Sequence, residues 1–190
     1  RTNMINVKNL PSLAILLTII LFALQHLSSL PPSPKGLDAP EDQFSAIRAH
    51  KILQSLLKEN LPHPVSSSLN RTIKERLIIE FDRLDIEYQE QKTWACANRF
   101  SSCAEVENLI GIIPGKTDAP YLALMAHYDS VPMAPGAGDD GAGVVAILEA
   151  ARALKLDAPF KHPIMLILTD AEESGLIGAE AFFNQHPLAK

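Results

Sequence analysis

Two short apolar runs, each followed closely by ionisable side chains, constrain the fold of this chain more than any other feature. One run, Tyr121 to Ala126, ends at His127, and the other, Pro163 to Thr169, ends just before Glu172 and Glu173. Continuous apolar runs of this length are typical of strands covered on both faces of an α/β sheet. Ionised groups beside such strands are costly unless a positive partner compensates them. The pattern therefore predicts a buried sheet with a cation-binding edge.

The stretches around these runs follow helical spacing. Residues 141–154 place apolar side chains on one stripe, residues 175–185 predict a further helix, and residues 106–113 predict another strand. Alternation of strands and helices favours parallel pairing, and ligands of such sheets bind beyond the carboxyl ends of the strands. We therefore predict an α/β fold, a three-layer sandwich with a mostly parallel central sheet flanked by helices.

Two amphipathic helices are predicted upstream of these elements. Residues 42–58 carry apolar side chains at helical spacing, with Asp42 as the predicted N-cap, and residues 66–84 repeat the pattern. Residues 86–92 predict an edge strand, which a polar loop follows. These segments extend the helical layers of the predicted sandwich.

The N-terminal segment has the composition of a membrane helix. Residues 13–24 are apolar apart from Thr18, and residues 11–30 are long enough to span a bilayer. Arg1 and Lys8 on the N-terminal side favour an orientation that leaves the remainder extracytoplasmic, in a periplasm or a lumen. A cleaved signal peptide, which would release a secreted protein, is the alternative.

These features divide the chain into four parts. A short tail covers residues 1–10, a transmembrane helix or signal anchor covers residues 11–30, a proline-rich linker covers residues 31–41, and a globular domain covers residues 42–190. The membrane is therefore an expected partner. Nucleic acid is not, because the net charge of −5 provides no general basic surface.

The chain has two cysteines, Cys96 and Cys103, which fall in the predicted polar loop. In an oxidising compartment they would form a local disulfide, and two independent thiols are the alternative. The predicted export of the domain favours the disulfide.

His127, Asp139 and Glu173 together offer the ligand atoms that zinc prefers, imidazole nitrogen and carboxylate oxygen. The loop between His127 and Asp139 is rich in proline and glycine, so it can bend back and bring Asp139 beside His127. A carboxylate held at such a turn can bridge two metal ions. A histidine that is merely a satisfied polar residue at a strand end is the alternative.

The neighbouring carboxylates can take different roles. Because Glu172 and Glu173 are adjacent, they do not easily bind one ion from the same side, so one of them can ligate a metal ion while the other takes a proton from the metal-bound water. Asp129 follows His127 by two residues and is placed to orient the imidazole ring. Asp140 is expected to cap the helix that follows it.

The chain closely resembles the di-zinc aminopeptidase family, which includes bacterial leucyl aminopeptidases and membrane-bound endoplasmic-reticulum metallopeptidases. The resemblance lies in two segments, HYDSVPMAPGAGDDGAGVVAILEAARAL and ILTDAEESGLIGAEAFF. The family pattern is His-x-Asp-Ser, then Gly-x-x-Asp-Asp-x-x-Gly, then Glu-Glu after the next strand. All three elements occur here in that order, within roughly residues 106–183.

This resemblance implies a metal-dependent exopeptidase that removes N-terminal residues from peptide substrates with a two-zinc centre. His127 would ligate one zinc, Asp139 would bridge both ions, and Glu173 would ligate the other. Glu172 would be the general base and acid, and Asp129 would orient His127.

The resemblance also implies a cis peptide bond between Asp139 and Asp140, and two further ligands, an acidic residue and a histidine. His162 and His186 do not match the position of that histidine. We therefore expect the 190 residues to be a fragment truncated at its C-terminus, which alone binds zinc weakly and is inactive. Two alternatives stay open: a glutaminyl cyclase-type zinc acyltransferase, and a non-catalytic peptidase-like interaction domain.

Overall fold

The computed structural model describes residues 10–29, 31–97, 101–117 and 119–189, with Leu10 described by its backbone alone. The chain forms two compact units, residues 1–34 and residues 35–190. The described helices are α1 Leu10–Ser28, α2 Ala46–Leu56, α3 Ser68–Arg83, α4 Ala142–Lys155 and α5 Ile177–Gln185, followed by a 3-10 turn at Pro187–Ala189. The described strands are β1 Glu87–Ala97, β2 Ser102–Ile113, β3 Leu122–His127 and β4 Ile164–Thr169.

The first unit contains helix α1. Its stretch Pro11–Ser28 is long and apolar enough to cross a membrane, and none of these side chains is buried. Length and composition alone support this assignment, and an N-terminal signal sequence has the same properties. Helix α1 is therefore a candidate membrane span that matches the predicted residues 11–30 closely.

The second unit is built on a four-stranded sheet with the order β1-β2-β4-β3. Strands β3 and β4, joined through helix α4, are parallel as predicted. Strand β2 is antiparallel to both of its neighbours, β1 and β4. The described sheet is thus mixed, and the expectation of a mostly parallel sheet was wrong, because β1 and β2 are joined by a short connection that only antiparallel strands can use.

Strand β4 lies in the middle of the unit, and all six of its residues are buried. Ile164, Leu166 and Leu168 face a core formed with α2, α3 and α4. Met165 and Ile167 face the opposite side, where they pack with Phe182 of α5. Since consecutive strand residues point to opposite faces, this division confirms the predicted three layers of helix, sheet and helix.

The start of α2 differs from the prediction. Ser45, not Asp42, caps the helix: its Oγ accepts the backbone N–H of Arg48 at 3.2 Å. The backbone N–H of Ser45 donates to the buried carboxylate of Glu149 at 3.0 Å. Serine is a preferred N-cap residue, and the contact with Glu149, across 104 residues of sequence, holds it at the start of α2.

The predicted linker is shorter than expected, because residues 35–45 are bound to the folded unit. The guanidinium of Arg48 donates to the backbone carbonyls of Leu37, Ala39, Pro40 and Gln43. Arg152 donates to the carbonyls of Glu41 and Gln43, and both arginines pair with Glu149. The compact unit consequently starts at Lys35 rather than at Asp42.

Cys96 and Cys103 form a disulfide, but they lie in strands rather than in a loop. Strand β1 continues to Ala97, beyond the predicted residues 86–92, and Cys96 is the direct partner of Cys103 in the β1–β2 register. Their Cα atoms are 4.0 Å apart, the close approach of directly opposed residues on antiparallel strands. The disulfide therefore links the two strands near the end of their pairing.

Candidate metal centre

The carboxyl ends of β3 and β4 meet at one edge of the sheet, as predicted. His127 is the register partner of Thr169, and the Tyr128 N–H donates to the Thr169 carbonyl at 2.9 Å. The loop that begins at Asp170 therefore starts beside the His127 side chain. This arrangement brings two segments that are more than 40 residues apart in sequence into one site.

The three predicted ligands converge at this edge. Ligand atoms of His127, Asp139 and Glu173 all lie within 4.8 Å of one another, and His127 Nε2 is 3.1 Å from Asp139 Oδ1. His127 is buried in the wall of the site, whereas the side chain of Asp139 is 85% exposed. The site is thus open to solvent, as a catalytic metal site must be to admit water and substrate.

A tight turn delivers Asp139. Gly136 has a φ of 66°, in the left-handed region that favours glycine, and its carbonyl accepts the Gly141 N–H at 2.9 Å. The peptide bond between Asp139 and Asp140 is cis. Asp140 Oδ1 accepts the Gly143 N–H at 3.1 Å, although Gly141 and not the predicted Asp140 is the N-cap residue of α4.

Asp129 is fully buried and connects the two halves of the site. Its Oδ1 accepts the Glu172 N–H at 2.9 Å, and its Oδ2 accepts the Glu173 N–H at 3.2 Å. The Nδ1 of His127 lies 3.1 Å from the backbone carbonyl of Asp129 and 3.5 Å from its carboxylate. The carboxylate of Asp129 therefore mainly holds the loop after β4, a role that the sequence analysis did not predict.

Glu172 stands beside the three converging residues. Its Oε2 is 3.8 Å from His127 Nε2, and its side chain is 33% exposed. The carboxylate consequently faces both the ligand cluster and the solvent. This position suits a group that exchanges protons with water or substrate near a metal.

The electrostatics of the cluster favour positive charge. Burial by itself lowers the pKa of His127, but the carboxylates of Asp129, Asp139 and Glu172 outweigh this effect and raise the pKa to about 9. Burial, and then the neighbouring Asp139, raise the pKa of Glu173. One imidazole nitrogen and several carboxylate oxygens around a point that stabilises a cation are a donor set that fits zinc.

A buried polar cluster behind the centre was not predicted from the sequence. Asp170 is 1% exposed, and its carboxylate accepts hydrogen bonds from the Asn70 side chain at 3.2 Å and from the backbone N–H groups of Glu107 and Ala171. Burial and the negative charge of Asp129 raise the pKa of Asp170 to about 7. One signal was present: Asn70 lies on the buried stripe of α3 with Ile73, Leu77 and Phe81.

Neither of the other two histidines considered as ligands lies with the cluster. His162 precedes β4, and its Nδ1 lies 2.9 Å from the carbonyl of Pro120, at the end of the strands opposite to the centre. His186 follows α5, is buried, and stacks on Phe182. The structure therefore agrees with their exclusion.

A family model described as peptidase family M28 matches residues 108–190. A vacuolar membrane protease of Candida tropicalis is 34% identical over 127 residues, which cover 66% of this chain and 13% of that protein. Leucine aminopeptidase 1 of Sclerotinia sclerotiorum is 29% identical over 170 residues, which cover 83% of this chain and 43% of that protein.

Solved structures show the same fold. A leucine aminopeptidase precursor from Bacteroides thetaiotaomicron superposes with a TM-score of 0.65 at 21% identity, over 78% of this chain and 59% of that one. The glutaminyl cyclase of Porphyromonas gingivalis gives a TM-score of 0.63 at 24% identity, over 76% of this chain and 54% of that one. The chain thus spans less than two thirds of these proteins.

Proposed function

Because a model of peptidase family M28 matches residues 108–190, we propose that this chain is part of a membrane-tethered, zinc-dependent aminopeptidase with a two-zinc centre. Its substrates would be peptides with a free N-terminus. The observation that supports this proposal most directly is the convergence of His127, Asp139 and Glu173 at the edge of the sheet. Related proteins that span much more sequence carry the names of proteases and aminopeptidases.

Each converging residue is assigned a role. His127 would hold one ion through Nε2, which faces Asp139, while its Nδ1 faces the carbonyl of Asp129. Glu173 would hold the second ion. The carboxylate of Asp139, whose side chain is 85% exposed, would be shared between the two ions.

Zinc bound here would supply a Lewis acid that polarises the scissile carbonyl and makes water a better nucleophile. Glu172 takes the proton from the attacking water and returns it to the departing amine, which requires a carboxylate that is near the ligands and accessible to solvent. Its distance of 3.8 Å from His127 Nε2 and its partial exposure meet this requirement. Asp129 keeps Glu172 in place by accepting its backbone N–H.

The preference for N-terminal residues would come from the free α-amine of the peptide, which would bind near a metal ion or one of the carboxylates of the cluster. An internal peptide bond offers no such amine. We therefore infer exopeptidase rather than endopeptidase activity.

Membrane tethering rests on helix α1 and on the relatives named vacuolar membrane proteases. With α1 retained in the bilayer, residues 35–190 lie on the extracytoplasmic side, in agreement with the disulfide between Cys96 and Cys103. A reporter fused after residue 190 and tested for protease protection in sealed membranes checks this orientation.

The function is tested with full-length protein purified in detergent. We expect zinc-dependent hydrolysis of aminoacyl-p-nitroanilides, and Glu172→Gln should retain zinc while kcat falls by roughly 10³-fold. Glu75→Gln, a change at an exposed glutamate of α3, is the matched control and should have normal kcat. Normal turnover by Glu172→Gln would remove this residue from the assigned role.

Glutaminyl cyclase activity is the second outcome to be measured. The likeness to the Porphyromonas gingivalis enzyme concerns the fold, which aminopeptidase structures share equally. Peptides that begin with glutamine separate the two reactions, because cyclisation releases ammonia and leaves the peptide length unchanged. Ammonia release without loss of the first residue would replace the aminopeptidase proposal.

A further inference from the structure

We propose that His63 is a positioning residue of the metal centre, which holds both the His127 segment and the turn that carries Asp139. This inference rests on the function proposed above. His63 lies between α2 and α3, outside the residues that the family model matches, and it is only 2% exposed. Its contacts point to the segments that bear the ligands.

The backbone of His63 pairs with the segment that follows His127. The His63 N–H donates to Ser130 Oγ at 2.8 Å, and the Ser130 N–H donates to the His63 carbonyl at 3.3 Å. Ser130 is completely buried. These reciprocal hydrogen bonds fix the chain just beyond His127 and Asp129.

The ring of His63 adds a third contact to the same segment. Its Nε2 lies 2.9 Å from the carbonyl oxygen of Tyr128, the residue between His127 and Asp129. Because a carbonyl oxygen only accepts, Nε2 is the donor in this bond. Removing the ring would leave the carbonyl of a buried residue without this partner, a loss that a folded protein tolerates poorly.

The same ring lies near the turn that carries Asp139. A Cβ atom placed on Gly136 would lie 3.5 Å from His63 Cε1 and 2.9 Å from the Cβ of Ser130. The turn therefore passes close to His63 and Ser130, with no room for a side chain at Gly136. His63 thus lies near both of the segments whose separation sets the distance between His127 and Asp139.

His63 is itself held firmly. Its carbonyl accepts a hydrogen bond from the side-chain amide of Asn70 at 3.4 Å. Asn70 also binds Asp170, at the start of the loop that carries Glu172 and Glu173. His63 and Asn70 together are thereby hydrogen-bonded to the segment after His127 and to the start of the loop that carries Glu172 and Glu173.

The test compares His63→Ala with His63→Gln in full-length protein, with zinc affinity measured by competition against a chromophoric chelator. We expect His63→Ala to weaken zinc binding at least tenfold and to lower kcat with little change in KM. His63→Gln, whose side-chain amide can still donate to the Tyr128 carbonyl, should recover most of the affinity. His50→Ala, at an exposed histidine of α2, is the matched control and should bind zinc normally.

Zinc affinity is compared with thermal unfolding of the same proteins. A folded His63→Ala protein with normal zinc affinity and kcat, even at a lower unfolding temperature, would assign His63 to general stability and overturn the proposal. If His63→Ala does not fold, Ser130→Ala replaces it, and normal zinc affinity there has the same meaning. If the wild-type protein does not hydrolyse peptides, but its zinc affinity still depends on His63, only the aminopeptidase function would be refuted.

Discussion

The carboxylate of Asp129 accepts the backbone N–H of Glu172 at 2.9 Å, across 43 residues of sequence. Its second oxygen accepts the N–H of Glu173 at 3.2 Å. A residue at the end of β3 thereby sets the position of the loop that follows β4. Most of the mechanism proposed here depends on this contact between neighbouring strand ends.

Replacing Asp129 by asparagine tests this contact. An amide keeps one acceptor and turns an NH₂ group toward one of the two N–H donors, so the loop loses a hydrogen bond and gains a repulsion. We expect kcat/KM to fall by roughly 10- to 100-fold and the free energy of unfolding by about 1–3 kcal/mol. Steady-state kinetics and urea unfolding measure the two effects. Asp82→Asn, at an exposed position of α3, should change neither, and equal behaviour of the two variants would contradict the assignment.

The turn at Gly136 offers a comparison of two glycines. Gly136→Ala places a Cβ in the left-handed backbone region and 2.9 Å from the Cβ of Ser130. We expect it to cost at least about 1 kcal/mol of stability and to weaken zinc binding, because the turn must shift together with Asp139. Gly138→Ala is the control, since no atom lies within 4 Å of its added Cβ. Calorimetric titration measures the zinc affinity of both variants. Equal affinities would show that the turn at Gly136 does not control zinc binding.

The buried carboxylate of Glu149 predicts a pH-dependent stability. Burial raises its pKa, but hydrogen bonds from Arg152, Arg48 and the Ser45 N–H outweigh burial and lower the pKa below the ordinary value of 4.5. The unfolded chain therefore binds this proton more readily, so the stabilisation is present above pH 4.5 and is lost as the pH falls through the folded-state pKa.

Glu149→Gln should lower the free energy of unfolding at pH 7 by about 3 kcal/mol and should flatten its dependence on pH below 4.5. Denaturant titrations between pH 3 and pH 7 measure both. Glu75→Gln serves again as the control, because Glu75 is exposed on α3. An unchanged pH profile in Glu149→Gln would show that other groups dominate acid unfolding.

The disulfide between Cys96 and Cys103 supports the strand pair next to the centre. Ser102, adjacent to Cys103, donates from its Oγ to the Ser174 carbonyl at 2.5 Å, just beyond Glu173. We expect the double change Cys96→Ala and Cys103→Ala to cost about 2 kcal/mol and to lower kcat. A thiol reductant should lower the unfolding temperature of the wild type to that of the double variant. The unfolding temperature of the double variant should not change with reductant. A wild type insensitive to reductant would disprove this role.

Local patterns in the sequence predicted the elements that form the edge of the site. Apolar runs predicted β3 and β4, and helical spacing predicted α4 between them, so the convergence of His127 with the loop after β4 followed from the topology. The candidate ligands were predicted from their chemistry, because zinc prefers imidazole nitrogen and carboxylate oxygen.

Contacts between distant residues could not be predicted in this way. His63 is an isolated histidine with no periodic neighbours, and only its pairing with Ser130, 67 residues away, gives it a role. Strand β1 was predicted too short because most of its side chains are exposed. Exposed polar residues are normal for an edge strand, but their sequence resembles that of a loop. The N-cap of α2 was misplaced because Glu149 fixes it from another helix.

The central position of β4 also has a consequence for the order of assembly during synthesis. Strand β4 lies between β2 and β3, although it is the last of the four to leave the ribosome. A nascent chain that ends before Ile164 contains β2 and β3 but lacks the strand that pairs with both. Until β4 is added, the apolar side chains of β2 and β3 lack the packing partners that β4 provides. Exposed apolar surface of this kind favours aggregation, and the proposed metal centre can form only after β4 has been inserted.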